Sequence, residues 1–220
     1  EHRMGQAGDV EESIQKAIAA AQTALALDPS RPEARMDLGR SLWQGAYHRL
    51  LNHSQDPREQ LRQAVEVFEA IRPEERDYEF HITLGLVFKV WADYEDQSGE
   101  DSLRTRGKAI DAYLTAISLN EAVPDAWINL GVAFYERARN PRDPNPDDDL
   151  QQSLAALNKA RTLNPRHVVP YISAGHAHRL LAERRRDRGE DAQPDLATAL
   201  DLYRRGLAIN PRHADLHSGL

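Results

Sequence analysis

The stretch DPNPDDD, Asp143 to Asp149, is the kind of acid-rich loop that binds calcium. It lacks the loop glycine and the terminal glutamate of an EF-hand. Carboxylates just ahead of a helix expected to start around Leu150 have a simpler role, which is to complement the positive end of its dipole. His176 and His178 are two residues apart, so on a helix they point about 200° away from each other and cannot chelate together. His178 reads as a packed, hydrogen-bonded core histidine, while His176 falls on the opposite side. Arg184, Arg185 and Arg186 open ERRRDRGED, but acids interrupt and follow them, which suits a solvated tip better than a phosphate contact. No phosphate-cradling glycine loop, nucleophile elbow or HExxH occurs. The chain has no cysteine, which excludes thiolate zinc sites, disulfides and cysteine nucleophiles. Carboxylates are abundant, but no catalytic pair stands out among them. No catalytic residue, metal or cofactor is therefore expected, and an enzyme is not the favoured reading.

The charge balance narrows the partners. Lys and Arg number 28 against 35 Asp and Glu, a net charge of −7, whereas a general nucleic-acid binder would show a basic stripe. No apolar run approaches the roughly 20 residues of a membrane span, and no signal peptide opens the chain. A cytoplasmic location is expected, or a periplasmic or extracellular one if a longer parent chain carries an upstream span. The opening Glu1-His2-Arg3-Met4 and the closing Ser218-Gly219-Leu220 read as cuts through such a parent.

The elements that would position these residues come from a repeated phrase. RMDLGRSL, HITLGLVF and WINLGVAF place Leu before Gly39, Gly85 and Gly131, and YISAGHAH is a weaker copy with Ala174 before Gly175. These glycines stand 46, 46 and 44 residues apart. A second phrase alternates with the first (AIAAAQTAL, AVEVFEAI, AIDAYLTAI, SLAALNKA, ALDLYRRGL), led by Ala17, Ala64, Ala109, Ser153 and Ala199. Three copies run into Pro29, Pro165 and Pro211, where a helix must stop. Two alternating amphipathic helices with small residues at fixed places describe a hairpin stacked on copies of itself. Glycine costs a helix interior about 1 kcal/mol relative to alanine, so its recurrence on a buried face implies close approach of a neighbouring helix.

These residues resemble the tetratricopeptide repeat family. Its pattern is met by Trp127, Leu130-Gly131 and Phe134 on the first helix of the third copy. On second helices it is met by Ala64 and Phe68, by Ala109, Tyr113 and Ala116, and by Ala199 and Tyr203. The resemblance implies an all-α fold, a right-handed α-solenoid of helical hairpins. Residues 89–138 also look like the long-period repeats C-terminal to bacterial receptor-type Ser/Thr protein kinases. That would make this a regulatory region whose catalytic domain lies elsewhere.

The family's usual period is 34 residues, so each repeat here is lengthened. The added residues fall between first and second helices, where the glycine-to-small-residue spacing is 25, 24, 22 and 24. Ala46, Ala92, Ala138 and Ala182 each follow a glycine by seven and keep its face. Leu61, Leu150 and Leu196 precede their small residues by three, and Arg106 breaks that pattern. The insertions are thus expected to extend both helices and to end in the polar tips HSQDP, QSGED, NPRDPNPDDD and RDRGEDAQPD. The layout is a single solenoid over residues 1–220. An orphan second helix at 9–27 is followed by repeats at 32–72, 77–120, 124–165 and 168–211, then a partial helix at 214–220. Without polar capping helices, such an array would associate end to end.

The resemblance also implies a ligand surface on the first helices, opposite the packing stripe. The corresponding positions are Met36, Arg40 and Trp43; Ile82, Leu86 and Lys89; Ile128, Val132 and Tyr135; Ile172, His176 and Arg179. An apolar stripe of this extent marks an interaction site if exposed. Alternatively, the insertions curl inward and make it core. The equivalents of the family's carboxylate-clamp residues are largely apolar, so an apolar peptide or amphipathic helix is the expected ligand, with Arg40, Lys89 and Arg179 as acid-pairing guides.

Overall fold

Proline, glycine and asparagine punctuate this chain at regular intervals, and helices fill the spaces between them. A computed structural model describes residues 2–52 and 55–213, with residues 2–8 described by their backbone alone. Among these residues lie nine α-helices: α1 (His2–Leu27), α2 (Pro32–Asn52), α3 (Arg58–Glu69), α4 (Tyr78–Gln97), α5 (Leu103–Leu119), α6 (Pro124–Arg139), α7 (Pro146–Leu163), α8 (Val169–Asp187) and α9 (Gln193–Ile209). A short 3-10 turn, Pro73–Glu75, precedes α4. The partial helix expected at 214–220 lies outside the described residues.

Local chemistry sets the helix ends. Pro124, Pro146, Pro170 and Pro194 sit in the first turns of α6 to α9, where a missing N–H leaves no bond unmade. Asp77 caps α4, its carboxylate accepting the Phe80 N–H at 2.9 Å. Gly99 and Gly189 end α4 and α8 in the left-handed region, at φ 72° and 74°. Each belongs to a Schellman turn, with Glu100 N–H donating to the Glu95 carbonyl and Glu190 N–H to that of Arg185.

Chain contacts group the protein into two units, residues 1–119 and 120–220. In the first, α2 pairs with α3 and α4 with α5, α1 packs on α2, and the first helices α2 and α4 touch. In the second, α6 pairs with α7 and α8 with α9, and α6 touches α8. The core of the first unit gathers Leu38, Leu42, Ala46, Leu61, Phe68, Val87 and Val90.

The four seam glycines are buried, and each faces one large side chain from its partner helix: Phe68 over Gly39, Tyr113 over Gly85, Leu157 over Gly131 and Tyr203 over Gly175. That side chain stands four residues after the small residue of the second phrase. The small residue lets the helices close, and the large one fills the space a Cβ would take. The glycine thus makes room for a ring or a leucine rather than for the alanine phrase itself. In the third hairpin the seam gains a hydrogen bond, from Ser153 Oγ to the Gly131 carbonyl at 2.6 Å.

The added residues are mostly helix. Ala46, Ala92, Ala138 and Ala182 are buried, as are Leu61 and Leu150, so the seam continues toward the tips. Leu196 departs from this and is 40% exposed. At the equivalent position of the second hairpin, Arg106 is 1% exposed and fills the space a leucine occupies elsewhere.

Candidate functional site

The surface in question belongs to the first helices, and the helical screw decides which of its residues can be reached. A residue three before a seam glycine lies only about 60° around the helix from it. It therefore shares the edge of the seam. Ile128 and Ile172 occupy this position and are buried, at 6% and 7% exposure. Ile172 packs with Ala199 and Tyr203 of α9. These two isoleucines face the core rather than a partner, a correction to their placement on the opposite side. Met36 and Ile82, at the same position, are half-buried. A residue one beyond the glycine lies about 100° round: Arg40 there is exposed, and Leu86, Val132 and His176 are half-buried, like Met36 and Ile82.

In the first unit Trp43 stacks on Tyr47, ring centroids 6.2 Å apart and planes within 14°. Lys89 is held by Asp93, one turn along, at 2.6 Å. It is thus already engaged by its own helix. Near the N-terminal ends of α2 and α4 is a depression of about 310 Å3 bordered by Met36, Arg40 and Ile71.

In the second unit the surface is aromatic and cationic. The His176 ring lies 6.2 Å from Tyr135 and 5.8 Å, edge to face, from Tyr203. Arg139 lies over Tyr135 at 5.7 Å. Arg179 is exposed, its guanidinium 4.0 Å from Glu183. Burial raises the Tyr203 hydroxyl to about 12, against the opposing pull of Arg179, and burial also raises that of Tyr135. Tyr203 is buried, so of the two phenols Tyr135, half-buried, is the one nearer the surface.

A lane of polar contacts between paired helices, invisible as a motif, lies beside this surface. One position, four residues before each small residue, carries a polar side chain that reaches the first helix of its own hairpin. Gln60 approaches Gly45, Thr105 donates to Glu95 at 3.1 Å, Asp149 takes a two-pronged bond from Arg137, and Asp195 meets His178 at 2.9 Å. Arg185 lies 3.0 Å from the other Asp195 oxygen. Arg106 adds ion pairs to Asp96 at 2.5 Å and to Asp93 at 3.2 Å. The spacing signal was present, but side chains of such different types hid it.

The acid-rich tip is spent in the same way. Asp147, Asp148 and Asp149 fall in the first turn of α7, which begins at Pro146. Asp149 faces Arg137, and Asp147 pairs with Arg184 and Arg188. Among the described residues no three His, Asp or Glu side chains converge as metal ligands, and no helix is long and apolar enough to cross a membrane.

Residues 7–45 match a family model described as a tetratricopeptide repeat. The structure resembles that of MamA, with a TM-score of 0.59 and 17% identity, covering 94% of this chain and 88% of that one. It also resembles YrrB, described as a TPR protein with an unusual peptide-binding site, at a TM-score of 0.56 and 15% identity over 94% of this chain and 83% of that one. The fold is that of the tetratricopeptide repeat proteins. No curated protein sequence matches the chain. In tetratricopeptide repeat terms, α2, α4, α6 and α8 are first helices, and α1, α3, α5, α7 and α9 second helices. The lengthening lies in the tip half of each hairpin.

Proposed function

We propose that the chain is a non-catalytic interaction scaffold whose first helices hold a peptide or helix of a protein partner. The carrying observation is that Leu86 and Val132, each one residue beyond a seam glycine and so about 100° round from the seam, are only half-buried. Apolar side chains at that angle contribute little to the hairpin seam and are positioned to bury a partner's apolar strip. The added residues go into helix rather than into a long loop over this face, and a preformed helical surface loses little order on binding. The peptide-binding site described for YrrB supports the same use of the fold here. Around Tyr135, His176 and Arg179 the second unit offers cations and donors suited to a partner's carboxylate or carbonyl.

The test compares the native chain with a Leu86→Asp, Val132→Asp variant and with Leu114→Asp, which alters a 46%-exposed leucine on the second helix α5. Each is immobilised, and a partner identified with the native chain is titrated over all three. Binding retained by Leu114→Asp and lost by the double variant is the expected result. Equal binding to all three eliminates the first-helix surface.

A further inference from the structure

The net charge is not spread evenly. Residues 1–119 carry 14 Lys and Arg against 21 Asp and Glu, while residues 120–220 carry 14 of each, so the whole excess of −7 belongs to the first unit. Part of it rings the depression between α2 and α4, which is bordered by Glu33, Asp37, Glu75, Asp77 and Glu79 over Met36 and Ile71. Arg40 is the one cation in that lining. Some of these acids have internal work. Asp77 caps α4, Glu75 pairs with Arg72 at 2.5 Å, and Glu33 has Arg31 at 3.7 Å. Asp37 and Glu79 are exposed and form no ion pair with any described residue. Lys89, farther along α4, is neutralised by Asp93.

We infer that this part of the first-helix surface takes a basic amphipathic segment of a protein partner, an apolar residue over the half-buried Met36 with flanking Lys or Arg against Asp37 and Glu79. The inference rests on the groove reading proposed above and gives it a charge. An acidic segment would meet two carboxylates outside any ion pair, Asp37 and Glu79 (the latter accepting the Tyr78 hydroxyl at 3.2 Å), and a single cation, Arg40, whereas a basic one would pair with both carboxylates. Opposite charge around an apolar contact also steers encounter and selects partners more strongly than it adds affinity. The two ends of the chain thus differ in kind. The first unit favours a cationic ligand, while the second, neutral overall, exposes Arg179 beside its aromatic cluster.

The test uses two labelled synthetic peptides of about four helical turns, one of Leu and Lys at amphipathic spacing and one with Glu replacing every Lys. Each is titrated by fluorescence anisotropy against the 220-residue chain and three variants, all checked for helix content. Asp37→Asn with Glu79→Gln removes the rim charges. Glu66→Gln with Asp111→Asn removes equal charge from exposed positions on the second helices α3 and α5. Leu86→Asp alters the apolar surface. The expected result is binding of the Lys peptide alone, weakened about fivefold or more by the rim variant, less than twofold by the second-helix variant, and strongly by Leu86→Asp. Equal losses in the two charge variants would show that bulk charge acts, and would overturn the inference. Equal binding of both peptides, each lost in Leu86→Asp, would overturn it while leaving the groove reading intact. Lys-peptide binding that ignores Leu86→Asp but fails in the rim variant would instead overturn the groove reading. No binding of either peptide would overturn the inference as well.

Discussion

Tyr113 lies so close over Gly85 that a Cβ at position 85 would stand 2.4 Å from the ring's Cε1 atom. The ring is fully buried and has nowhere to swing. Gly85→Ala gains about 1 kcal/mol of helix propensity but meets an overpacking cost of about 1–3 kcal/mol. A net loss of up to about 2 kcal/mol in urea denaturation is expected. Gly107→Ala is the matched control, since nothing lies within 4 Å of a Cβ there and its backbone is helical. It should stabilise by up to about 1 kcal/mol. Effects of the same sign at both sites would remove the packing account.

Arg106 gives a second contrast. Its guanidinium is almost fully buried, but Asp93 and Asp96 reach solvent, at 22% and 37% side-chain exposure. Removing the arginine therefore strands no buried charge. Leu61 and Leu150 show that a leucine fits the equivalent place. Arg106→Leu should be close to neutral in chemical denaturation. Asp93→Asn with Asp96→Asn leaves the buried cation without a counter-charge and should cost about 3 kcal/mol or more. A larger loss from Arg106→Leu than from the double variant would contradict this ordering.

The Asp143 carboxyl, on the tip before α7, predicts a pH effect. Burial, with the Asp149 carboxylate beside it, raises its pKa above the ordinary carboxylate value. A raised acid favours the fold while protonated and opposes it when ionised. The penalty is absent below the unfolded value near 4 and grows as pH rises through the folded value. Asp143→Asn keeps an acceptor for the Asn145 N–H, which Asp143 now takes at 3.1 Å. Its Tm should exceed that of the native chain at neutral pH, and the difference should close as pH falls toward about 3. A constant difference across the range would refute the assignment.

The alternation of two phrases carried the fold because glycine and alanine at fixed spacing have few uses other than close helix packing. The tip glycines Gly99 and Gly189 were legible for a similar reason, since the left-handed region favours that residue. The surface was harder to read. Ile128 and Ile172 suit a buried edge and an exposed strip equally well by type, and only the angle from the glycine separates them. Lys89 looked like a free cation because its partner sits a single turn away on the same helix. Arg106 broke the leucine pattern and so read as an irregularity, when it is a buried cation paired with two carboxylates that reach solvent. The polar residues in contact across each hairpin recur at one position but in four different types, so their placement becomes visible only when the helices are paired.

The polar clasps near the tips leave the stem of each hairpin untouched. How tall a hairpin stands is fixed by one set of residues, and how closely its two helices pair by another. Each further helical residue adds about 1.5 Å of height without disturbing the footing at the seam glycines. Hairpins of this design can therefore be made shorter or taller by editing the tips alone.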